Sequence, residues 1–171
     1  MIYEPLDDTY LLCETIEKKI ERKNLKILEM GFGSGYILEF LHNRGFKNLI
    51  GADINGVAVK NLKKKGFNAV KSNLFSDIHG KFDLIVFNPP YLPHDKDEDN
   101  ESSIITTGGK HGSEIINRFL RDAKNHLTEK GKIFLLISSL TKGIDCGGYN
   151  KNILSEKKLF FEKLEVWELA I

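Results

Sequence analysis

Apolar residues recur near the start of the chain with the spacing of a helix. From Leu12 to Ile20 an apolar residue occupies every fourth position, which predicts an amphipathic helix over residues 7–22. Asp7 and Asp8 stand at its start, where carboxylates can cap the first turn. This helix precedes every predicted strand.

Further along, short apolar runs that end in turn residues alternate with segments of helical spacing. The runs predict strands at residues 26–30, 48–53, 67–71, 82–88 and 132–138, with 158–163 and 164–169 as two final strands. The segments between them predict helices at 36–44, 57–65 and 113–127, the last capped by Ser113. We therefore expect an α/β fold with parallel pairing, right-handed crossovers and helices on both faces of the sheet.

Two segments break this alternation. Residues 95–112 lack periodicity and are rich in Asp, Glu, Ser, Thr and Gly, which predicts a long functional or mobile loop. Residues 140–154 contain three glycines and little helical spacing, and they are too few for a full crossover helix with its connections. We therefore expect the helix before the last two strands to be shortened or missing.

Length and composition fit one domain without a membrane segment. A chain of 171 residues is long enough for one core and too short for two, so residues 1–171 are predicted to form a single domain. No apolar run reaches 18 residues, and the N-terminus is acidic where a secretory signal would be basic and then apolar, so we expect a cytoplasmic protein. The 25 basic and 24 acidic residues give a net charge of +1, which provides no general attraction to nucleic acids.

Cysteine and histidine are too dispersed to suggest metal chemistry. Cys13 and Cys146 lie far apart without a CxxC spacing, and the five histidines are scattered along the chain. We expect neither a zinc site nor a disulfide framework.

A glycine-rich loop follows the first predicted strand. Its regularly spaced members are Glu29, Gly31, Gly33 and Gly35. Glycines at such a turn let bare backbone approach a ligand at the carboxyl edge of a sheet, so we expect a nucleotide-like ligand. A dinucleotide fingerprint would need its third glycine at Tyr36, whose side chain would obstruct close helix packing, so NAD is disfavoured.

Asp53 ends the second predicted strand, 18 residues after Gly35. A carboxylate at this position can accept hydrogen bonds from both hydroxyls of a ribose. The glycine loop and Asp53 together predict a nucleoside site. The plainer interpretation is a glycine turn with a surface aspartate, as in any α/β protein.

The tetrapeptide Asn88-Pro89-Pro90-Tyr91 follows the fourth predicted strand directly, so it should lie beside the glycine loop. Each proline fixes its own φ and keeps the preceding residue extended. The Asn88 side chain and the Pro89 carbonyl then offer two fixed acceptors to a planar NH2 group, with the Tyr91 ring beside them. Fixing this weak nucleophile in line with an activated methyl donor would supply much of the rate. A proline-rich turn that merely ends a strand is the plainer alternative.

Four segments of the chain resemble one family of enzymes. They are the opening YEPLDDTYLL, the loop EMGFGSG, the strand end GADIN and the segment FDLIVFNPPY. Together they resemble the class I S-adenosylmethionine-dependent methyltransferases, specifically the HemK-related glutamine methyltransferases of archaeal and eukaryotic release factors. DNA and RNA amino-methyltransferases share the glycine loop and NPPY. The opening, NPPYLP, GGKHG at residues 108–112 and the closing FEKLEVWEL are more particular to the release-factor group.

The resemblance implies a Rossmann-like fold with a mostly parallel, twisted sheet of about seven strands and an antiparallel C-terminal strand. The implied cofactor is S-adenosyl-L-methionine, with S-adenosyl-L-homocysteine as the product. Asn88 would hold the glutamine amide of the substrate. The residues that would contact the cofactor are Thr9 at its carboxylate end, Glu29 and Gly31 at its methionine part, Gly33 and Gly35 in the loop, Asp53 at its ribose, Asn73 and Leu74 at its adenine, and Asn88.

The resemblance also implies two protein partners. The substrate would be a glutamine in the Gly-Gly-Gln motif of a peptide-chain release factor, and a small zinc-binding activator protein would form a heterodimer with this chain. In this fold residues 67–71 form a sheet edge, short and apolar enough to accept an added strand. Alternatively, Phe67 and Val70 simply pack inward. No membrane and no direct nucleic-acid partner are expected.

The chain departs from the family pattern at two places. The adenine-side position, usually Asp, is Asn73, which keeps an acceptor and adds an NH2 group. Thr106 and Thr107 stand where the family commonly has an aromatic residue, which bears on the substrate-side wall.

Charge in the long loop helps to choose between substrates. Its acidic residues would repel a phosphate backbone and so favour a protein substrate, although they are also typical of a solvated loop. They are Asp95, Asp97, Glu98, Asp99 and Glu101. An RNA or DNA amino-methyltransferase, acting on adenine N6 or guanine N2, is the alternative function. A catalytically silent cofactor-binding subunit is a third.

Overall fold

The computed structural model describes residues 2–90 and 112–171 of the chain. Within these ranges it contains four α-helices, one short 3-10 helix and seven β-strands. The helices are α1 Asp7–Lys19, α2 Tyr36–Asn43, α3 Gly56–Lys64 and α4 Glu114–Ala123, followed by the 3-10 helix Lys124–His126. The strands are β1 Lys26–Met30, β2 Asn48–Asp53, β3 Asn68–Lys71, β4 Phe82–Phe87, β5 Leu127–Ser138, β6 Asn150–Lys158 and β7 Lys163–Ala170.

The strands form one sheet in the order β3-β2-β1-β4-β5-β7-β6. Strands β1 to β5 pair in parallel, and β7 lies antiparallel between β5 and β6. This confirms the expected α/β class, with a mostly parallel sheet and an antiparallel C-terminal strand. Met30 lies opposite Ala52 on one side and Phe87 on the other, so the loops after β1, β2 and β4 leave the sheet at one edge.

Helices cover both faces of the sheet, as predicted. On one face α1, α2 and α3 pack over strand residues that include Ile27 and Leu84. On the other face α4 packs over residues that include their chain neighbours Leu28 and Ile85. Because successive side chains of a strand point to opposite faces, both must be apolar in a strand covered on both sides. This explains the continuous apolar runs of β1 and β4.

Helix α1 packs against the C-terminal strands, although it comes first in the chain. It contacts β5, β6 and β7. The Thr15 hydroxyl lies 2.5 Å from the Ser155 hydroxyl, and Lys157 Nζ donates to Asp7 Oδ1 at 2.8 Å. The two ends of the described chain therefore stabilise one another.

The predicted capping of two helices is corrected by the structure. Leu6 holds the N-cap position of α1 without a side-chain hydrogen bond, so Asp7 and Asp8 lie inside the first turn. Negative charge in the first turn still stabilises the helix, because it interacts favourably with the positive end of the helix dipole. Ser113 holds the N-cap position of α4, as predicted, but its side chain makes no capping hydrogen bond. Helix α1 also ends three residues early, at Lys19 rather than residue 22.

The connection between β5 and β6, residues 139–149, contains no helix, which confirms the predicted shortening. The predicted bounds of the sixth strand are wrong. The interval 158–163 is mostly a turn, and β6 begins eight residues earlier, at Asn150. As the outer strand, β6 exposes most of its side chains, so few apolar residues mark it in the sequence. Similarly, β5 begins at Leu127 rather than residue 132, which shortens the preceding helix.

None of the helices in the described ranges is long and apolar enough to cross a bilayer. The predicted loop at 95–112 lies outside the described residues, except for Gly112. The same holds for Tyr91, Thr106 and Thr107.

Candidate active site

A cavity of about 610 Å³ opens where β1, β2 and β4 end. Its walls come from the loops after these strands, from the segment after β3, from α4 and from the residues before α1. The structure brings ten of the predicted site residues together around it. These are Thr9, Glu29, Gly31, Gly33, Asp53, Asn73, Leu74, Asn88, Pro89 and Pro90.

The glycine loop needs its glycines both for conformation and for space. Gly31 and Gly33 have φ values of +63° and +53°, which residues with a side chain rarely adopt. A Cβ on Gly31 would lie 3.2 Å from the Phe87 ring, and one on Gly33 would lie 3.3 Å from the Tyr3 carbonyl oxygen. The loop therefore presents bare backbone to the cavity while packing tightly behind it.

Gly35 differs from the other two glycines, because it does not line the cavity. It holds the N-cap position of α2 with φ +82°, and a Cβ there would lie 2.6 Å from Leu62 Cδ1. Gly35 thus allows α2 and α3 to approach closely. The structure shows a packing role for Gly35, and its predicted contact with a cofactor stays a prediction.

Asp53 connects the end of β2 to the glycine loop. Its Oδ2 accepts a hydrogen bond of 2.9 Å from the Gly33 N–H, and its Oδ1 accepts one of 2.8 Å from the Asn55 N–H. Each oxygen of a carboxylate can accept about two hydrogen bonds, so both retain capacity toward the cavity. Asp53 is therefore fixed in orientation before any ligand binds.

Glu29 places a buried carboxyl at the cavity wall. The residue is 3% exposed, and its Oε2 has no hydrogen-bond partner among the described residues. Burial raises the pKa of Glu29 well above its usual value, and the charge of Asp53 raises it further, while the Leu38 N–H has the opposite effect. A cationic ligand group beside Oε2 would remove the cost of ionising this carboxyl.

Asn88, which lines the same cavity, carries a second buried oxygen without a partner among the described residues. The residue directly follows β4, and the oxygen is its Oδ1. Pro89 and Pro90 continue the wall. A buried amide oxygen without a donor costs about 1–3 kcal/mol, so the site is arranged for a ligand that brings an N–H or O–H group.

Asn73 is held by a residue that the sequence did not single out. Arg118 of α4 donates from Nη2 to Asn73 Oδ1 at 2.9 Å. The neighbouring Leu74 has φ +53°, a strained value for a leucine. Its carbonyl accepts a hydrogen bond from the Ser72 hydroxyl at 2.6 Å, which helps to hold this turn. One lone pair of the Asn73 oxygen is thus used, and Asn73 keeps a second lone pair and its NH2 group for contact with a ligand.

The segment before α1 closes one side of the cavity. Tyr3 donates from its hydroxyl to Asp8 Oδ2 at 2.5 Å, and the Thr9 N–H donates to Asp8 Oδ1 at 2.5 Å. Burial and the contact with Asp8 raise the pKa of Tyr3, so it stays a hydrogen-bond donor. Tyr36, whose side chain is predicted to obstruct the close helix packing of a dinucleotide fingerprint, also lines the cavity.

Several residues that line the cavity were not predicted from the sequence, among them the polar side chains of Tyr3, Arg118 and Glu162. Tyr3 and Glu162 lie inside the quoted segments YEPLDDT and FEKLEVWEL, so the motifs contained the signal without revealing its position. Arg118 lies on a helix of ordinary amphipathic pattern, where one polar residue gives no signal.

Comparisons with known proteins identify the family to which this chain is related. A family model described as "Methyltransferase small domain" matches residues 4–146. A Methanocaldococcus jannaschii protein, named as a protein N5-glutamine methyltransferase, is 37% identical over 98% of this chain and 92% of its own length. The release factor glutamine methyltransferase of Streptococcus pneumoniae is 31% identical over 78% of this chain, which spans about half of that protein, 53%.

Among solved structures, the chain is similar to one from E. cuniculi. It is described as the Mtq2–Trm112 complex responsible for methylation of the translation termination factor eRF1. The match has a TM-score of 0.79 and 28% identity, and it covers 99% of this chain and 98% of the other.

Proposed function

The chain belongs to the methyltransferase small domain family, and we propose that it methylates the side-chain nitrogen of a glutamine in a peptide-chain release factor. It is an S-adenosylmethionine-dependent methyltransferase, because the family model spans most of the chain and relatives that are 37% and 31% identical to it are methyltransferases by name. We further propose that residues 1–171 form one methyltransferase domain that acts in the cytoplasm.

The buried Oδ1 of Asn88 is the observation that carries the substrate proposal. It lacks a donor among the described residues, and Asn88 lines the same cavity as the glycine loop. A primary amide supplies two N–H donors, and the Pro89 carbonyl is a second acceptor for them. The relatives named as glutamine methyltransferases support glutamine as the source of that amide.

The cavity residues fit the cofactor. The free Oε2 of Glu29 would accept a hydrogen bond from its ammonium group, and the remaining lone pairs of Asp53 would accept from its ribose hydroxyls. We assign Asn73 and Leu74 to its adenine and Thr9 to its carboxylate end. When bound, S-adenosylmethionine supplies a methyl group on a sulfonium sulfur, which leaves as a neutral thioether.

Positioning is the main catalytic task of Asn88 and Pro89. The lone pair of an amide nitrogen is delocalised, so the nitrogen reacts slowly unless it is held in line with the methyl carbon. As the new N–C bond forms, the C–S bond breaks and the nitrogen becomes cationic. That nitrogen is strongly acidic and loses its proton to a nearby oxygen or to water, so the chain needs no dedicated base.

We also propose that the chain pairs with a small zinc-binding activator protein through β3. E. cuniculi Mtq2, to which the chain is similar, was solved in complex with Trm112. Strand β3 ends the sheet, so its outer backbone can accept an added strand, while Phe67 and Val70 pack on the core clusters. Four lysines beside it favour an acidic partner: Lys60, Lys63, Lys64 and Lys71. Full activity of the chain alone would rule out an obligate partner.

Transfer of a labelled methyl group to three candidate substrates tests the proposed function. We expect incorporation into a release factor containing Gly-Gly-Gln and none into transfer RNA or DNA. Asn88→Ala should reduce this activity by at least about a hundredfold, because both alignment and amide pairing are lost. Affinity for S-adenosylhomocysteine, measured by calorimetry, should stay within a few-fold.

Asn152→Ala is the matched control, since Asn152 is exposed on β6 and lies outside the cavity lining. It should leave both activity and affinity unchanged. Full turnover in Asn88→Ala would refute the assigned role of Asn88. Labelling of nucleic acid without labelling of the release factor would favour the alternative amino-methyltransferase.

A further inference from the structure

The turn between β6 and β7, residues 159–162, displays two adjacent phenylalanines to solvent. Phe160 is 93% exposed and Phe161 is 84% exposed, the highest values among the large apolar side chains of the described ranges. Burying a phenylalanine side chain stabilises a protein by about 1.5–3 kcal/mol. Two neighbouring rings left in water therefore indicate a surface that another molecule covers.

The turn is held firmly at its base. The Leu159 N–H donates to the Glu162 carbonyl at 2.8 Å, which closes the turn. Ser139, just after β5, donates its N–H to the Lys163 carbonyl and accepts the Lys163 N–H on its hydroxyl. The two phenyl rings contact each other edge to face, with centroids 4.6 Å apart. They form a preorganised convex tip rather than a pair of loose side chains.

The tip stands beside the active site. Glu162, the residue after Phe161, lines the same cavity as Asn88. Its carboxylate accepts a hydrogen bond from the Ser138 hydroxyl at the end of β5, so it is anchored to the carboxyl edge of the sheet. A glutamine side chain is short, and an amide held by Asn88 keeps the substrate backbone at the cavity mouth. The surface around the target glutamine would then approach the side of the cavity that Glu162 lines, next to Phe161 in the chain.

We propose that the Phe160–Phe161 tip docks the release-factor substrate by entering an apolar cleft beside its target glutamine. This inference rests on the function proposed above. A convex aromatic tip requires a concave apolar partner, which a folded protein provides and a short flexible peptide does not. Each ring can bury about 150–250 Å², a large share of the roughly 800 Å² that one partner contributes to a standard interface. The tip therefore has the size of a binding hot spot.

The test compares a folded and an unfolded substrate. The double variant Phe160→Ser with Phe161→Ser is prepared with its partner protein and assayed on the full-length release factor and on a short Gly-Gly-Gln peptide. We expect kcat/KM for the release factor to fall about ten- to a hundredfold, mainly through KM. Activity on the peptide and affinity for S-adenosylhomocysteine should change less than twofold. Ile153→Ser, at an exposed apolar position near the start of β6, is the control. It should leave the activity on both substrates unchanged.

Binding provides a second measurement that does not need turnover. In the Asn88→Ala background, the tip variant should lower the affinity for the release factor by the same factor. Equal losses on protein and peptide, or no loss on the protein, would overturn the docking proposal. So would a wild-type dimer that the variant converts to a monomer, because the tip would then bind a second copy. Lack of wild-type activity on the release factor would instead refute the proposed function and the docking proposal together.

Discussion

Replacing Glu29 with glutamine should weaken cofactor binding and remove most of its pH dependence. The Glu29 carboxyl is buried, and its Oε2 has no hydrogen-bond partner among the described residues. Burial and the charge of Asp53 raise its pKa well above the usual range, so ionising this carboxyl is costly in the protein without ligand. A bound ammonium group offsets this cost, and glutamine has the same shape without the charge.

The expected loss follows from the charge-assisted hydrogen bond. Such a bond contributes about 1.5–3 kcal/mol, which corresponds to about 10- to 150-fold weaker binding in Glu29→Gln. Because the ammonium group favours the ionised carboxyl, wild-type affinity should increase with pH, by up to about tenfold per pH unit, until the pH passes the raised pKa of Glu29 in the ligand-free protein.

The raised pKa of Glu29 also makes the stability of the protein depend on pH. Stability should fall as pH rises, whereas cofactor affinity should increase. In the unfolded chain Glu29 ionises near pH 4.3, whereas in the folded chain it keeps its proton to higher pH. Between these two pKa values the free energy of unfolding should fall as pH rises, by up to about 1.4 kcal/mol per pH unit. The contribution of Glu29 to the free energy of unfolding is fully present below its pKa in the unfolded chain, and it is lost as pH rises through its pKa in the folded chain. Glu29→Gln should lack this slope.

Calorimetric titration with S-adenosylhomocysteine between pH 5.5 and 8 measures the binding effect, and urea unfolding over the same range measures the stability effect. Repeating the titration in two buffers with different ionisation enthalpies gives the number of protons released on binding. Glu39→Gln, which changes an exposed carboxyl on α2 paired with Lys65, is the control. Identical affinities and pH slopes in Glu29→Gln and the wild type would refute the assignment of Glu29 to the ammonium group.

Two further variants test neighbouring parts of the site. Asn73→Asp should bind S-adenosylhomocysteine about two- to fivefold more tightly, because one oxygen can pair with Arg118 while the other accepts from the adenine amino group; unchanged or weaker binding in calorimetry would contradict this. Gly35→Ala should lower the free energy of unfolding in urea by about 2–5 kcal/mol, from its positive φ and the clash with Leu62. Gly66→Ala, at φ +88° with nothing within 4 Å of its added Cβ, should lose only about 1–2 kcal/mol; equal losses would show that the clash is absent.

Strands that are covered on both faces were predictable from the sequence. The bounds of β1 and β2 match their apolar runs, because both sets of alternating side chains are buried. The same reasoning failed for β6, an outer strand whose exposed side chains leave no such run. The missing helix before β6 was predictable for a different reason, since the available segment is too short to hold one.

The candidate site was predictable where backbone chemistry defines it. Gly31, Gly33 and Asn88 follow strands that end at one edge, and that edge brings them together. Gly35 belongs to the same motif, yet its close contact is with Leu62, which no local spacing reveals. Arg118 reaches Asn73 across 45 residues of chain, so the pair appears only in the folded structure.

The packing of α1 on β6 determines when the cofactor site can form while the chain is being synthesised on the ribosome. Thr9 of α1 and Tyr3 just before it line the cavity, and Lys157 and Ser155 hold the helix from near the far end of the chain. The cofactor site is therefore complete only after translation has passed β6, when that strand has emerged and folded back. A nascent chain stalled before residue 150 would contain the glycine loop, Asp53 and Asn88, and it would still lack the anchored wall that closes the site.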